Sequence, residues 1–116
     1  MSKTGLKIAQ QQSGKVCIVA PIGRFDNTTA SQVQAQLTML IDAGEKVILL
    51  DLADASYLTS AAFRVLLVGA KRAEAASARF ALCNVTGHVR DLFELGGLID
   101  SFTILGTRDE ALAKFA

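Results

Sequence analysis

The sequence predicts an α/β domain with a mixed sheet of about five strands and about four helices. Three observations carry this expectation. Short apolar runs alternate along the chain with stretches whose apolar residues recur at helical spacing. The joins between them are short and rich in Gly, Asn, Asp, Ser and Thr. One run, Val47 to Leu50, is uninterrupted and branched, which suits a strand buried on both faces. At 116 residues the expectation is one domain over residues 1–116. With 51% hydrophobic and 20% charged residues, a disordered chain is excluded. The net charge is +1 and the basic residues are scattered, so nothing points to nucleic acid. No apolar run approaches the roughly 18 residues of a membrane span, so no membrane insertion is expected. The opening MSKTGLKIAQQQ lacks a cleavage signature, and a cytoplasmic protein is the expectation.

Taken in order, residues 5–12 alternate weakly around Leu6 and Ile8, and Ser13-Gly14 is a turn signal. Residues 15–22, KVCIVAPI, form the next strand, so the two should pair as a hairpin. Pro21 has no N–H to donate, which places it near that strand's end or at an irregularity. In GRFDNTTA, Asp26 and Asn27 are good caps for a helix from about Thr28. Ala30, Val33, Leu37, Leu40 and Ile41 make its one-sided apolar stripe, and Gly44 ends it. The third strand covers about 46–52. Asp54, Ala55 and Ser56 form a polar break after it.

Thr59 and Ser60 then stand directly before an apolar run at helical spacing, so a helix should cover about 60–77. Its core face should carry Ala62, Phe63, Leu66, Leu67, Ala70 and Ala73. The opposite face, with Ala61, Arg64, Val68, Lys71 and Ala75, is small, partly apolar and basic, and suits a docking strip. Residues 78–83 make a fourth strand. Thr86 caps a short helix, GHVRDLFEL, with Val89, Leu92 and Phe93 inward and Gly96-Gly97 closing it. A fifth strand lies near 101–105. Thr107 and Glu110 have capping-box spacing before a last helix over about 108–115, which should bury Ala111, Leu112 and Phe115.

Three segments together resemble one known family. YLTSAAFRVLL resembles the central motif of the STAS domain, the fold of bacterial anti-sigma factor antagonists. There a strand is followed by Asp-Ser-Ser-Gly-Leu or Ser-Ser-Ala-Gly-Leu and then a helix. Thr59 stands where many members have Asp, Ala62 where most have Gly, and Phe63 where most have Leu. GRFD resembles the family's Gly-x-Leu-Asp, and HVRDLFELGGL its Val-Arg-x-Leu segment with a following Gly-Leu. The resemblance implies phosphorylation at Ser60 by a serine-kinase anti-sigma factor that the dephosphorylated protein binds, and a phosphatase that resets the serine. With the second and third strands parallel, the loops after them lie at one end of the sheet, so Asp26, Thr59 and Ser60 should join the outer strip at Ala61, Arg64 and Val68 in one partner-binding face. The other reading is a constitutive STAS-like subunit of a larger assembly, such as a lipid-transport complex, without phosphorylation.

Enzyme equipment is missing from the sequence. There is no G-x-S-x-G elbow, no Walker loop and no G-x-G-x-x-G. No feature places His88 near Ser60, so no catalytic residue is assigned. Cys17 and Cys83 read as buried core residues, and no metal ligands or cofactor are expected.

Overall fold

The computed structural model describes residues 7–115. The first two residues of the expected opening strand, Gly5 and Leu6, lie outside the described residues. The elements are β1 (Lys7–Ser13), β2 (Val16–Phe25), α1 (Ala30–Asp42), β3 (Val47–Asp51), β4 (Ala55–Leu58), α2 (Ser60–Ala75), β5 (Arg79–Cys83), α3 (Gly87–Leu95), a 3₁₀ turn (Ile99–Ser101), β6 (Thr103–Leu105) and α4 (Arg108–Phe115). The strand order is β1-β2-β3-β5-β6, with β4 paired to β2. The β1–β2 hairpin is antiparallel and every other pairing is parallel. No helix among the described residues is long and apolar enough to cross a membrane.

Alternation along the strands builds two cores. Cys17, Val19, Ile48, Leu50 and Leu82 face α1, α2 and α3. Val16, Ile18, Val47, Leu49, Ala81 and Cys83 face the other way, onto Ala111 and Phe115 of α4. All five residues of β3 are buried, as its unbroken apolar run predicts. The two thiols are free, and burial pushes Cys83 up to about 12.

The sheet has six strands where the sequence suggests about five. The additional one, β4, falls on the expected polar break. Ala55 and Leu58 are buried, but Ser56 interrupts a segment too short to show a period. Pro21 has its explanation here. β2 pairs with β3 over Val16–Val19 and with β4 over Gly23–Phe25, and Pro21 falls between the two partners. Gly23, at φ 109°, marks the register shift.

Helix α1 starts at Ala30, not Thr28, because residues 27–29 form a turn around Asp26. Its end is as expected. Gly44 takes φ 92°, and Gly44 N–H and Glu45 N–H donate to the carbonyls of Ile41 and Leu40. The capping box of α4 is also present: Glu110 N–H donates to Thr107 Oγ1 at 3.1 Å, and Thr107 N–H to Glu110 Oε1 at 2.9 Å. Leu112 of that helix is half-buried, not buried.

The core face of α2 needs correction. Val65 and Gly69 are buried with Ala62, Leu66 and Ala73, while Phe63, Leu67 and Ala70 are only half-buried. The buried arc is turned toward α1. Gly69 permits this, since a Cβ there would stand 3.1 Å from Leu37 Cδ1 of α1.

One polar node joins segments far apart in the sequence. Asp51, at the end of β3, is 4% exposed. Its Oδ1 accepts hydrogen bonds from Asn84 Nδ2 at 2.9 Å and Ala53 N–H at 3.0 Å. Its Oδ2 pairs with Arg108 Nε at 2.9 Å. Asn84 reaches it from a left-handed conformation, φ 56°. The node ties β3, the β3–β4 turn, the end of β5 and the start of α4 into one unit.

Candidate functional site

Parallel pairing sets where the site can be. Strands β2 and β4 run parallel, so the loop leaving β2 and the start of α2 after β4 meet at one end of the sheet. The join is specific. Thr59 N–H donates to the Phe25 carbonyl at 3.2 Å, extending the β2–β4 ladder by one residue. Thr59 Oγ1 donates to Asn27 Oδ1 at 3.0 Å. Thr59 is the N-cap of α2 by backbone conformation, but its side chain makes no cap hydrogen bond. Its hydroxyl bridges to the neighbouring loop instead of capping the helix.

Ser60 is the first residue of α2 and is exposed. Its position among the unpaired N–H groups of a helix start is favourable for negative charge. Asp26 organises the adjoining loop. Its Oδ1 accepts from Thr28 Oγ1 at 2.7 Å and Thr28 N–H at 3.0 Å, and its Oδ2 pairs with Arg24 Nε at 3.4 Å. These bonds, led by the Thr28 hydroxyl, hold its carboxyl below the usual range. Beneath it the buried Thr29 donates to the Arg24 carbonyl at 2.9 Å. Asp26 therefore shapes the turn before α1 and stands next to the Thr59–Ser60 corner.

The expected outer strip of α2 runs from the α3 flank toward the α1 flank. Arg64 is exposed and lies on the flank toward α3. Ala61 and Val68 are half-buried. Val68 precedes by one turn Arg72, which lies beside Thr38 and Met39 of α1. Thr59, Ser60 and Arg64 thus line one groove edge, Asp26 precedes the Asn27 that Thr59 bonds, and Val68 lies one turn on from Arg64, between the two flanks.

A groove of about 710 Å³ lies between α2 and α3 and opens at Ser60. Phe63, Leu67, Leu92 and Leu98 supply its apolar wall, and Thr59, Ser60 and Arg64 its polar edge. Leu95, at its rim, is 85% exposed. The floor is held by Phe93, which packs edge-on to Phe63 at 4.8 Å and to Phe102 at 5.7 Å. The sequence did not show this groove, because Phe63, Leu67 and Leu92 read as ordinary core positions. Their available signal was Leu95, an apolar residue beside a glycine stop.

His88 is a second feature missed. It stacks on Tyr57 with ring centroids 5.7 Å apart and planes at 19°. The Arg24 guanidinium covers the same tyrosine at 4.9 Å. His88 therefore belongs to this end of the sheet, as a stacking partner of Tyr57. Thr86 begins α3 without a side-chain cap bond, contrary to its expected role. Among the described residues there is no cluster of three or more His, Cys, Asp and Glu side chains able to hold a metal.

Comparison with known proteins gives a consistent result. The STAS domain profile matches residues 7–111. Bordetella bronchiseptica BtrV, provisionally assigned as an anti-sigma factor antagonist, is 31% identical over 110 residues, covering 95% of each chain. A Thermotoga maritima structure with the same provisional assignment superposes with a TM-score of 0.86 at 20% identity over 92% of each chain. The Bacillus cell fate determinant SpoIIAA, solved in its phosphorylated form, superposes with a TM-score of 0.74 at 20% identity, over 95% of this chain and 100% of that one. At these identities the two structural likenesses show the fold.

Proposed function

The chain belongs to the STAS domain family, and on that ground we propose that it acts as an anti-sigma factor antagonist regulated at Ser60. In its dephosphorylated form it binds a serine-kinase anti-sigma factor and so frees the sigma factor. Phosphorylation of Ser60 by that kinase ends the association, and a phosphatase restores it. The provisional assignment of BtrV and the fold shared with SpoIIAA support this reading.

The observation that carries it is the different standing of two adjacent hydroxyls. Thr59 is half-buried and spends its hydroxyl on Asn27. Ser60 is exposed, at a helix start, on the edge of an apolar groove. A kinase can reach the second without taking apart the loop. The docking face on this account centres on Asp26, Thr59, Ser60 and Arg64, with Ala61 and Val68 at its margin.

Titrating the purified anti-sigma factor with surface variants tests the map. Arg64→Glu should weaken binding roughly thirtyfold, about 2 kcal/mol, without unfolding the protein. Val68→Asp should weaken it less. Glu45→Lys should have no effect, because Glu45 lies between α1 and β3, at the opposite end of the sheet. Equal weakening by Glu45→Lys, or none by Arg64→Glu, would place the interface elsewhere. A stable native assembly that binds this chain and never phosphorylates it would favour the constitutive-subunit reading.

A further inference from the structure

We infer that Arg64 has two alternative charge partners, and that a phosphate on Ser60 works by taking this arginine away from the docking groove. The inference rests on the proposed phosphorylation of Ser60 and adds a mechanism to it. Three observations lead to it. Among the described residues Arg64 is the only charged one lining the groove, whose other lining residues are apolar, small or hydroxyl-bearing. Arg64 is exposed, and among the described residues no carboxylate pairs with it. Ser60 and Arg64 are four residues apart on the same helix and line the same groove.

The first two observations define an occupant. An uncovered apolar wall edged by one unpaired guanidinium suits a partner segment with apolar side chains and one carboxylate. The apolar side chains would cover Phe63, Leu67, Leu92 and Leu98, and the carboxylate would pair with Arg64. Desolvated at the groove, such a charge-assisted bond is stronger than a neutral one and fixes the register of docking.

The third observation supplies the switch. Side chains four apart on a helix are neighbours, with Cβ atoms about 5–6 Å apart. A phosphoserine carries a charge near −2 and three acceptor oxygens, and arginine reaches such a group bidentately. Arg64 would swing along the helix onto the phosphate and leave the groove edge. The partner's carboxylate would then lose its counter-charge and face a net negative corner. The other basic side chains at this end do not replace Arg64. Arg24 is paired with Asp26 and lies over Tyr57, and His88 stacks on the same ring.

The test uses phosphoserine installed at position 60 by genetic encoding, so it needs no kinase. The second ionisation of the phosphate, ordinarily near 6, is followed by ³¹P NMR. Arg64 should hold it lower, and Arg64→Gln should raise it by about half a unit or more, with Arg64→Lys retaining part of the effect. The helix start is common to all three proteins, so the difference isolates the arginine. In the companion titration with the anti-sigma factor, Arg64→Gln should weaken the unphosphorylated protein roughly tenfold. It should also reduce the ratio of affinities between unphosphorylated and phosphorylated forms. Equal ionisation in wild type and Arg64→Gln overturns the capture, whether or not the chain binds an anti-sigma factor. An unchanged affinity ratio overturns its role in switching. If the unphosphorylated protein binds no anti-sigma factor, the functional reading and the groove's role fall together, while the NMR result still decides the capture.

Discussion

Asp51→Ala should lower the free energy of unfolding by about 3 kcal/mol, measured by urea denaturation at pH 7. The carboxylate is buried and serves three donors on three segments: Asn84, Ala53 N–H and Arg108. Removing it orphans two donors and leaves Arg108 without its counter-charge. Arg108 is 35% exposed and can turn to water, which keeps the loss at the lower end of the range for broken buried pairs. The same node predicts a pH dependence. Burial alone would raise the Asp51 carboxyl, but the bonds from Asn84, Ala53 and Arg108 together outweigh it and hold the carboxyl below its ordinary 3.8. A depressed carboxyl contributes stability that is fully present above the unfolded value and lost as pH falls through the folded one. Wild type should therefore lose this contribution below about pH 4, and Asp51→Ala should lose less over the same range. Identical acid profiles would show that Asp51 is not a source of the acid sensitivity.

How much of this was legible in the sequence depends on the range of each interaction. The capping box at Thr107 and Glu110, the Gly44 stop and the doubly buried β3 rest on local spacing, and the sequence displays all three. The resemblance of three short segments to the STAS domain was enough to fix the family. What stayed hidden depends on contacts between distant segments. Strand β4 exists because β2 changes partner between Val19 and Gly23, and nothing within Ala55–Leu58 announces that. The Asp51 node joins residues 33 and 57 positions apart. The buried arc of α2 turns because Gly69 lets α1 come close, so Phe63 and Leu67 line a groove and are not fully buried. At the site, the positions of Asp26 and Ser60 followed from topology, whereas the Thr59–Asn27 bond and the Tyr57–His88 stack did not.

On the proposed function, one phosphate on Ser60 turns docking off while the fold stays intact. A charge near −2 at the centre of the proposed face would have to be desolvated on docking, and Arg64 would be drawn from the groove edge. A loss of about 3 kcal/mol from these effects lowers affinity roughly a hundredfold, enough to empty a micromolar complex. Ser60→Asp carries part of the charge and should weaken binding less. It should keep a cooperative unfolding transition within about 1 kcal/mol of wild type, since negative charge at a helix start is mildly favourable. The direct measurement is a calorimetric titration of the purified anti-sigma factor with unphosphorylated protein and with protein carrying phosphoserine at position 60. The first should bind tightly and the second at least roughly a hundredfold more weakly, with both fully folded. Equal affinity of the two forms, or loss of binding only through unfolding of the second, would contradict it.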